Sequence, residues 1–181
     1  MPKHLRVGSL ILAAAALLVA PAAAQDGRTA ALAGELTTLL GQAKLDSLAT
    51  RQAGSDDVFV AALYFPGQLL VVSSKYAVPA LLNERIAQSK YRDAYIDLNV
   101  AVDPTTKVFI EDMGADGIRP RRSEKAFDIY SKGETRFPFD GDWKKRKLTE
   151  DAYMATFTEA EAAYVRMLEA LIAQLKKRQG S

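Results

Sequence analysis

Three stretches of this chain, and a scatter of acids, carry residue types that could do chemistry. Ser73-Ser74-Lys75 places two hydroxyls and an ammonium just ahead of Pro79. Together with the free N–H groups of a helix start they would suit an anion such as phosphate. The same residues also make a plain polar connection between strand and helix. Further on, Arg119, Arg121, Arg122 and Lys125 gather around Pro120, and Trp143 is followed by Lys144, Lys145, Arg146 and Lys147. If the fold brings these two basic clusters together, they offer a small anionic ligand or a protein partner a charged site with a stacking face. Otherwise they are solvated loops balanced by the acids. Asp57, Asp97, Glu111 and Asp112 could pair as carboxylates across adjacent strands, the minimum for acid-assisted hydrolysis.

The missing residue types narrow the field. There is no cysteine, and the one histidine is His4. Thiolate metal sites, disulfides and Cys-His catalysis are excluded, and imidazole is absent past position 4. General acid–base work would fall to Asp, Glu, Lys or Tyr. No residue is assigned a catalytic role and no metal is expected. Asp112 to Gly117 opens like a calcium loop, but Gly114 stands where a second ligand belongs and Ser123 where a bidentate Glu belongs. A turn is the better reading there, and also at Asp140-Gly141-Asp142.

The first residues read as a secretory signal. Lys3 and Arg6 precede an apolar run from Val7 to Val19, and Ala22-Ala23-Ala24 supplies small side chains for cleavage after Ala24. The expected address is periplasmic or secreted, with no membrane span. Removing 24 residues from 181 leaves 157, one domain in size. Lys3 and Arg6 leave with the signal, so 24 basic residues fall to 22, equal to the 22 acids. A neutral mature chain argues against nucleic acid as the partner.

The elements that must position these groups follow from periodicity. Leu32, Leu36, Leu39, Leu40 and Ala43 predict a helix over 28–45, capped by Asp26 or Thr29. Leu48-Ala49-Thr50 is either its last turn or a short strand. Val58–Phe65 and Leu69–Ser73 flank Pro66-Gly67, which predicts a hairpin with both faces covered. Pro79 opens an inserted helix ending near Lys90, and Ala94–Val100 alternates like a half-buried strand. Strands are expected at Thr106–Met113, Phe127–Tyr130 and Thr135–Phe139. A long helix from Glu150 to Lys177, capped by Thr149, buries Tyr153, Phe157, Ala160, Tyr164, Leu168, Leu171, Ile172 and Leu175, with Met167 also in the core.

Leu48-Ala49-Thr50, Val58–Phe65, the turn at Gly67, Leu69–Ser73, Leu82-Asn83 and Ala94–Leu98 together resemble the opening of the FMN-binding split barrels, the pyridoxamine-phosphate-oxidase-like superfamily. The resemblance covers about a third of the mature chain and implies a small antiparallel barrel, often a homodimer. It would place flavin phosphate at Ser73, Ser74 and Lys75. The family's Arg or Lys at the start of the next helix is absent, since Ala77, Val78 and Pro79 stand there. The same element order also fits a profilin- or roadblock-like sandwich, an interaction module. The expectation is one α+β domain with a mostly antiparallel sheet, a helix at each end and one inserted helix. Its expected role is non-catalytic binding of a ligand or partner, with an FMN-binding relative as the alternative.

Overall fold

The computed structural model describes residues 26–52, 58–74, 105–122 and 126–179. The expected signal segment, the helix expected after Pro79 and the strand expected at Ala94–Val100 lie outside the described residues. Helix α1 (Asp26–Ala43) leads into strands β1 (Ser47–Gln52), β2 (Val58–Phe65), β3 (Gln68–Ser74), β4 (Val108–Met113), β5 (Ile129–Lys132) and β6 (Thr135–Pro138), and helix α2 (Glu150–Gln179) follows. The strands lie side by side in chain order, and each neighbouring pair is antiparallel. The fold class is α+β.

α1 buries Ala33, Leu36 and Leu40, with Leu32 and Leu39 packed alongside. It starts at Asp26, which puts Thr29 inside the helix and buried rather than at its cap. Lys44 takes a left-handed φ of 55°, and the Leu45 N–H returns to the Leu40 carbonyl at 2.9 Å. That closure ends the helix and turns the chain into β1. Leu48-Ala49-Thr50 is therefore strand, paired with Ala62, Ala61 and Val60.

Pro66-Gly67 forms the two-residue tip of the β2–β3 hairpin, with Phe65 opposite Gln68 and Gly67 at φ 82°. Proline fixes the first of these torsions and glycine permits the second. One row of cross-strand neighbours runs through all six strands: Leu48, Ala62, Val71, Ile110, Tyr130 and Phe137. This face meets the helices in the main core. On the opposite face Ala49, Phe59, Ala61, Leu63, Leu70 and Val72 form a second buried cluster, with Phe65 and Phe109 against it. Burial on both faces explains why β2 and β3 read as continuous apolar runs rather than alternating ones.

Thr149 caps α2, its Oγ1 accepting the Ala152 N–H at 3.2 Å. All eight residues of the expected stripe are buried, and so is Met167. At the N-terminal end Phe157 meets Phe139 edge-on at 5.1 Å, and Tyr153 meets Phe137 at 5.4 Å. α2 spans both α1 and the sheet, from β1 to β4. No described helix is long and apolar enough to cross a membrane.

Candidate anion-binding groove

The two basic clusters converge. Arg121 and Arg122 come from the connection between β4 and β5, and Trp143, Lys144, Lys145 and Arg146 from the turn before α2. They line one open groove of about 990 Å³, with Phe127, Pro138, Asp140, Gly141 and Asp142 completing the described lining. Three contacts hold the two segments together. Arg121 and Asp140 form an isolated antiparallel bridge. The Tyr153 hydroxyl donates to the Pro120 carbonyl at 2.7 Å and accepts the Gly141 N–H at 2.8 Å. One buried side chain of α2 thus clamps both walls.

The turn carrying the second wall is self-built. Asp142 Oδ1 accepts the Lys145 N–H at 2.9 Å, as an N-cap does. Leu148 N–H returns to the Trp143 carbonyl at 3.0 Å, and Lys147 closes the turn at φ 56°. Gly141 has φ 78°, and a Cβ there would stand 2.8 Å from Arg121 Cγ. The absence of a side chain at 141 lets the Arg121 stem lie across this wall.

Charge in the groove is divided between fixed and available cations. Arg146 holds Asp140 with two parallel hydrogen bonds, Nη1 to Oδ1 at 2.6 Å and Nη2 to Oδ2 at 2.7 Å. Its guanidinium lies 5.5 Å from the Phe137 ring centroid. The Arg146 hydrogen bonds hold the Asp140 carboxyl below the usual carboxylate range. Arg122 is equally committed. Its Nε donates to Asp128 Oδ2 at 2.9 Å, its Nη2 donates to the Gly117 carbonyl at 2.9 Å and to Asp116 Oδ1, and Asp112 Oδ1 lies 3.6 Å away. Arg121, Lys144 and Lys145 are exposed and form no ion pair among the described residues. They leave the groove with an excess of positive charge.

Behind Arg122 lies a buried polar network. Asp112 and Asp128 are both 0 % exposed. Asp112 Oδ2 accepts from the Tyr164 hydroxyl and the Gly117 N–H, each at 2.8 Å. Asp128 Oδ1 accepts the Met113 N–H at 2.8 Å, and Oδ2 accepts the Arg119 N–H at 2.7 Å. Burial pushes the Asp128 carboxyl up to about 6, against the pull of those two amides and of Arg122. It raises Asp112 as well, opposed by Tyr164, the Gly117 amide and Arg122. Burial, and then the Asp112 carboxylate, holds the Tyr164 hydroxyl well above its ordinary value. Both acids act on backbone amides of the 113–122 connection and so shape the first wall.

The structure sorts the residues singled out in the sequence. Arg121, Arg122, Trp143 and Lys144 share the groove. Arg119 is not part of its lining, and its guanidinium pairs with Asp116 at 2.6 Å. Ser73 and Ser74 stand elsewhere, at the end of β3. Ser73 pairs with Val60 and Val108, and the buried Ser74 meets the Thr106 hydroxyl at 3.0 Å. As successive strand residues they point to opposite faces. Lys75, Asp57, Asp97 and Lys125 lie outside the described residues. Glu111 and Asp112 are likewise adjacent on one strand and face opposite ways, and the acids that join Asp112 around Arg122 are Asp116 and Asp128.

Sequence reasoning missed Asp128 and the bracing role of Tyr153. The first sits inside an apolar Phe-Asp-Ile-Tyr run, and an acid alone in such a run is a signal of a buried partner. Compared with known proteins, the chain matches no family model, no curated protein and no solved structure.

Proposed function

We propose that this protein is an exported, non-catalytic binding domain that takes an anionic ligand in the groove between the 119–122 connection and the 143–147 turn. The observation that carries the reading is the meeting of two basic segments, distant in sequence, on one concave surface. The groove's acids do not cancel its charge, because Asp140 is matched by Arg146 and Asp142 alone stands against Arg121, Lys144 and Lys145. The acids and the tyrosine nearby, Asp140, Asp142 and Tyr153, are tied into loop architecture rather than aimed at a reacting atom, which favours binding over turnover.

Trp143 is the sole tryptophan of the chain and lies in this groove, so its emission reports directly on occupancy. Titration with inorganic pyrophosphate is expected to change that emission. A variant with Arg121, Lys144 and Lys145 all replaced by Gln should lose the change while unfolding at an unaltered midpoint. An unchanged response in the triple variant would remove the groove from consideration. The export part of the reading predicts a mature protein beginning at Gln25 when the periplasmic fraction is sequenced from its N-terminus, and an intact Met1 there contradicts it. The FMN alternative predicts quenching of added FMN fluorescence that weakens in Lys75→Ala.

A further inference from the structure

We infer that the ligand of this groove is a planar aromatic anion, a flat ring carrying a phosphate or carboxylate, rather than an inorganic ion or an aliphatic acid. The inference rests on the groove being the anion site and adds what its remaining surface demands. At about 990 Å³ the groove lies near the upper end of the range of small-molecule sites. A single tetrahedral anion would occupy a small fraction of it. Three apolar side chains, Phe127, Pro138 and Trp143, lie among the cations of the lining. An inorganic ion would leave them in water, whereas a ring would cover them.

Trp143 is also held in place. Its ring rests against Tyr153 with centroids 6.1 Å apart, and Tyr153 is fixed by its two hydrogen bonds to the groove walls. Asp142 caps the turn that begins at Trp143. A fixed aromatic platform beside exposed, unpaired cations is the arrangement that accepts a stacked ring and then neutralises its acid group. Of the five cations in the lining, Arg122 and Arg146 are locked to carboxylates. Charge recognition therefore falls to Arg121 on one wall and to Lys144 and Lys145 on the other.

The test is calorimetric titration of the intact protein with four probes: AMP, 1-naphthoate, ribose 5-phosphate and adenosine. AMP and naphthoate carry ring and charge, ribose 5-phosphate lacks the ring, and adenosine lacks the charge. At least one of the two ring-bearing anions should bind about tenfold more tightly than either ribose 5-phosphate or adenosine. Which of the two binds tells phosphate from carboxylate. Trp143→Ala should erase that margin without weakening ribose 5-phosphate, and Lys144→Gln with Lys145→Gln should weaken the ring-bearing anions. Both sets of side chains lie on a surface turn, and the thermal midpoint of each variant checks that it is folded. Equal affinity for AMP, naphthoate and ribose 5-phosphate would overturn the ring requirement and leave the anion-binding reading standing. Adenosine binding as tightly as the better of the two ring-bearing anions, or no heat from any probe, would overturn both.

Discussion

Asp128 accepts three hydrogen bonds through two oxygens in a place that water does not reach, and its titration carries a signature. Its folded pKa, about 6, lies above the ordinary aspartate value of roughly 3.9. Between those values the folded chain holds a proton that the unfolded chain has released. Stability is therefore favoured below about pH 4 and declines as pH rises towards 6, by at most ~3 kcal/mol from this group. Asp112 is shifted the same way and adds to the decline. Asp140 and Glu159 are shifted down, so their contributions persist above pH 4 and fade only in stronger acid. Urea denaturation at intervals from pH 4 to 6 should show the wild-type free energy falling, with a shallower slope in Asp128→Asn. A parallel slope in the variant would assign the titration elsewhere. At Gly141 the backbone geometry and the Arg121 stem act together. Gly141→Ala is expected to cost about 1–2 kcal/mol from the left-handed torsion alone, and to weaken pyrophosphate binding because Arg121 is displaced.

At the scale of elements, α2 does more than fill the core. Its two tyrosines, eleven positions apart, reach across to loops on the sheet: Tyr164 to Asp112, and Tyr153 to Pro120 and Gly141. Tyr153→Phe keeps the ring packing and removes both hydrogen bonds to the groove walls. It should lower stability by about 1–2 kcal/mol, since a part-buried carbonyl and amide lose their partner, and should weaken pyrophosphate binding several-fold. Thr149→Ala supplies the contrast. Loss of the cap should cost about 1 kcal/mol and leave that binding untouched. Equal binding losses in the two variants would mean that general loosening, not the clamp, is being read.

What could be seen in the sequence follows the same division. The stripe of α2 and the β2–β3 hairpin were legible because a period of three to four and a Pro-Gly pair are local signals. The strand expected at Phe127 begins instead at Ile129, because the Asp128 carboxylate is taken up by amides fifteen and nine residues away. Contacts of that kind leave no trace in local spacing. The meeting of the basic clusters was legible only as a conditional, since it depends on a clamp formed by a helix that follows both.

Over the whole molecule, the apolar load is divided between two faces of one sheet. The helix side holds the larger cluster, including Phe157 and Tyr164. Phe157→Ala should cost about 3–5 kcal/mol and unfold much of the population, whereas replacing Arg121, Lys144 and Lys145 by Gln should leave the denaturation midpoint unchanged. The groove sits at the end of the sheet where β6 gives way to α2, away from the central strands. Its exposed cations, Arg121, Lys144 and Lys145, can therefore be exchanged without disturbing the row that runs from Leu48 to Phe137.

The hydroxyl of Tyr153 touches both rims of the groove at once. The gap between the rims is thus fixed when the helix docks, before any guest arrives. A guest bound there as proposed would lose little entropy to shaping its host.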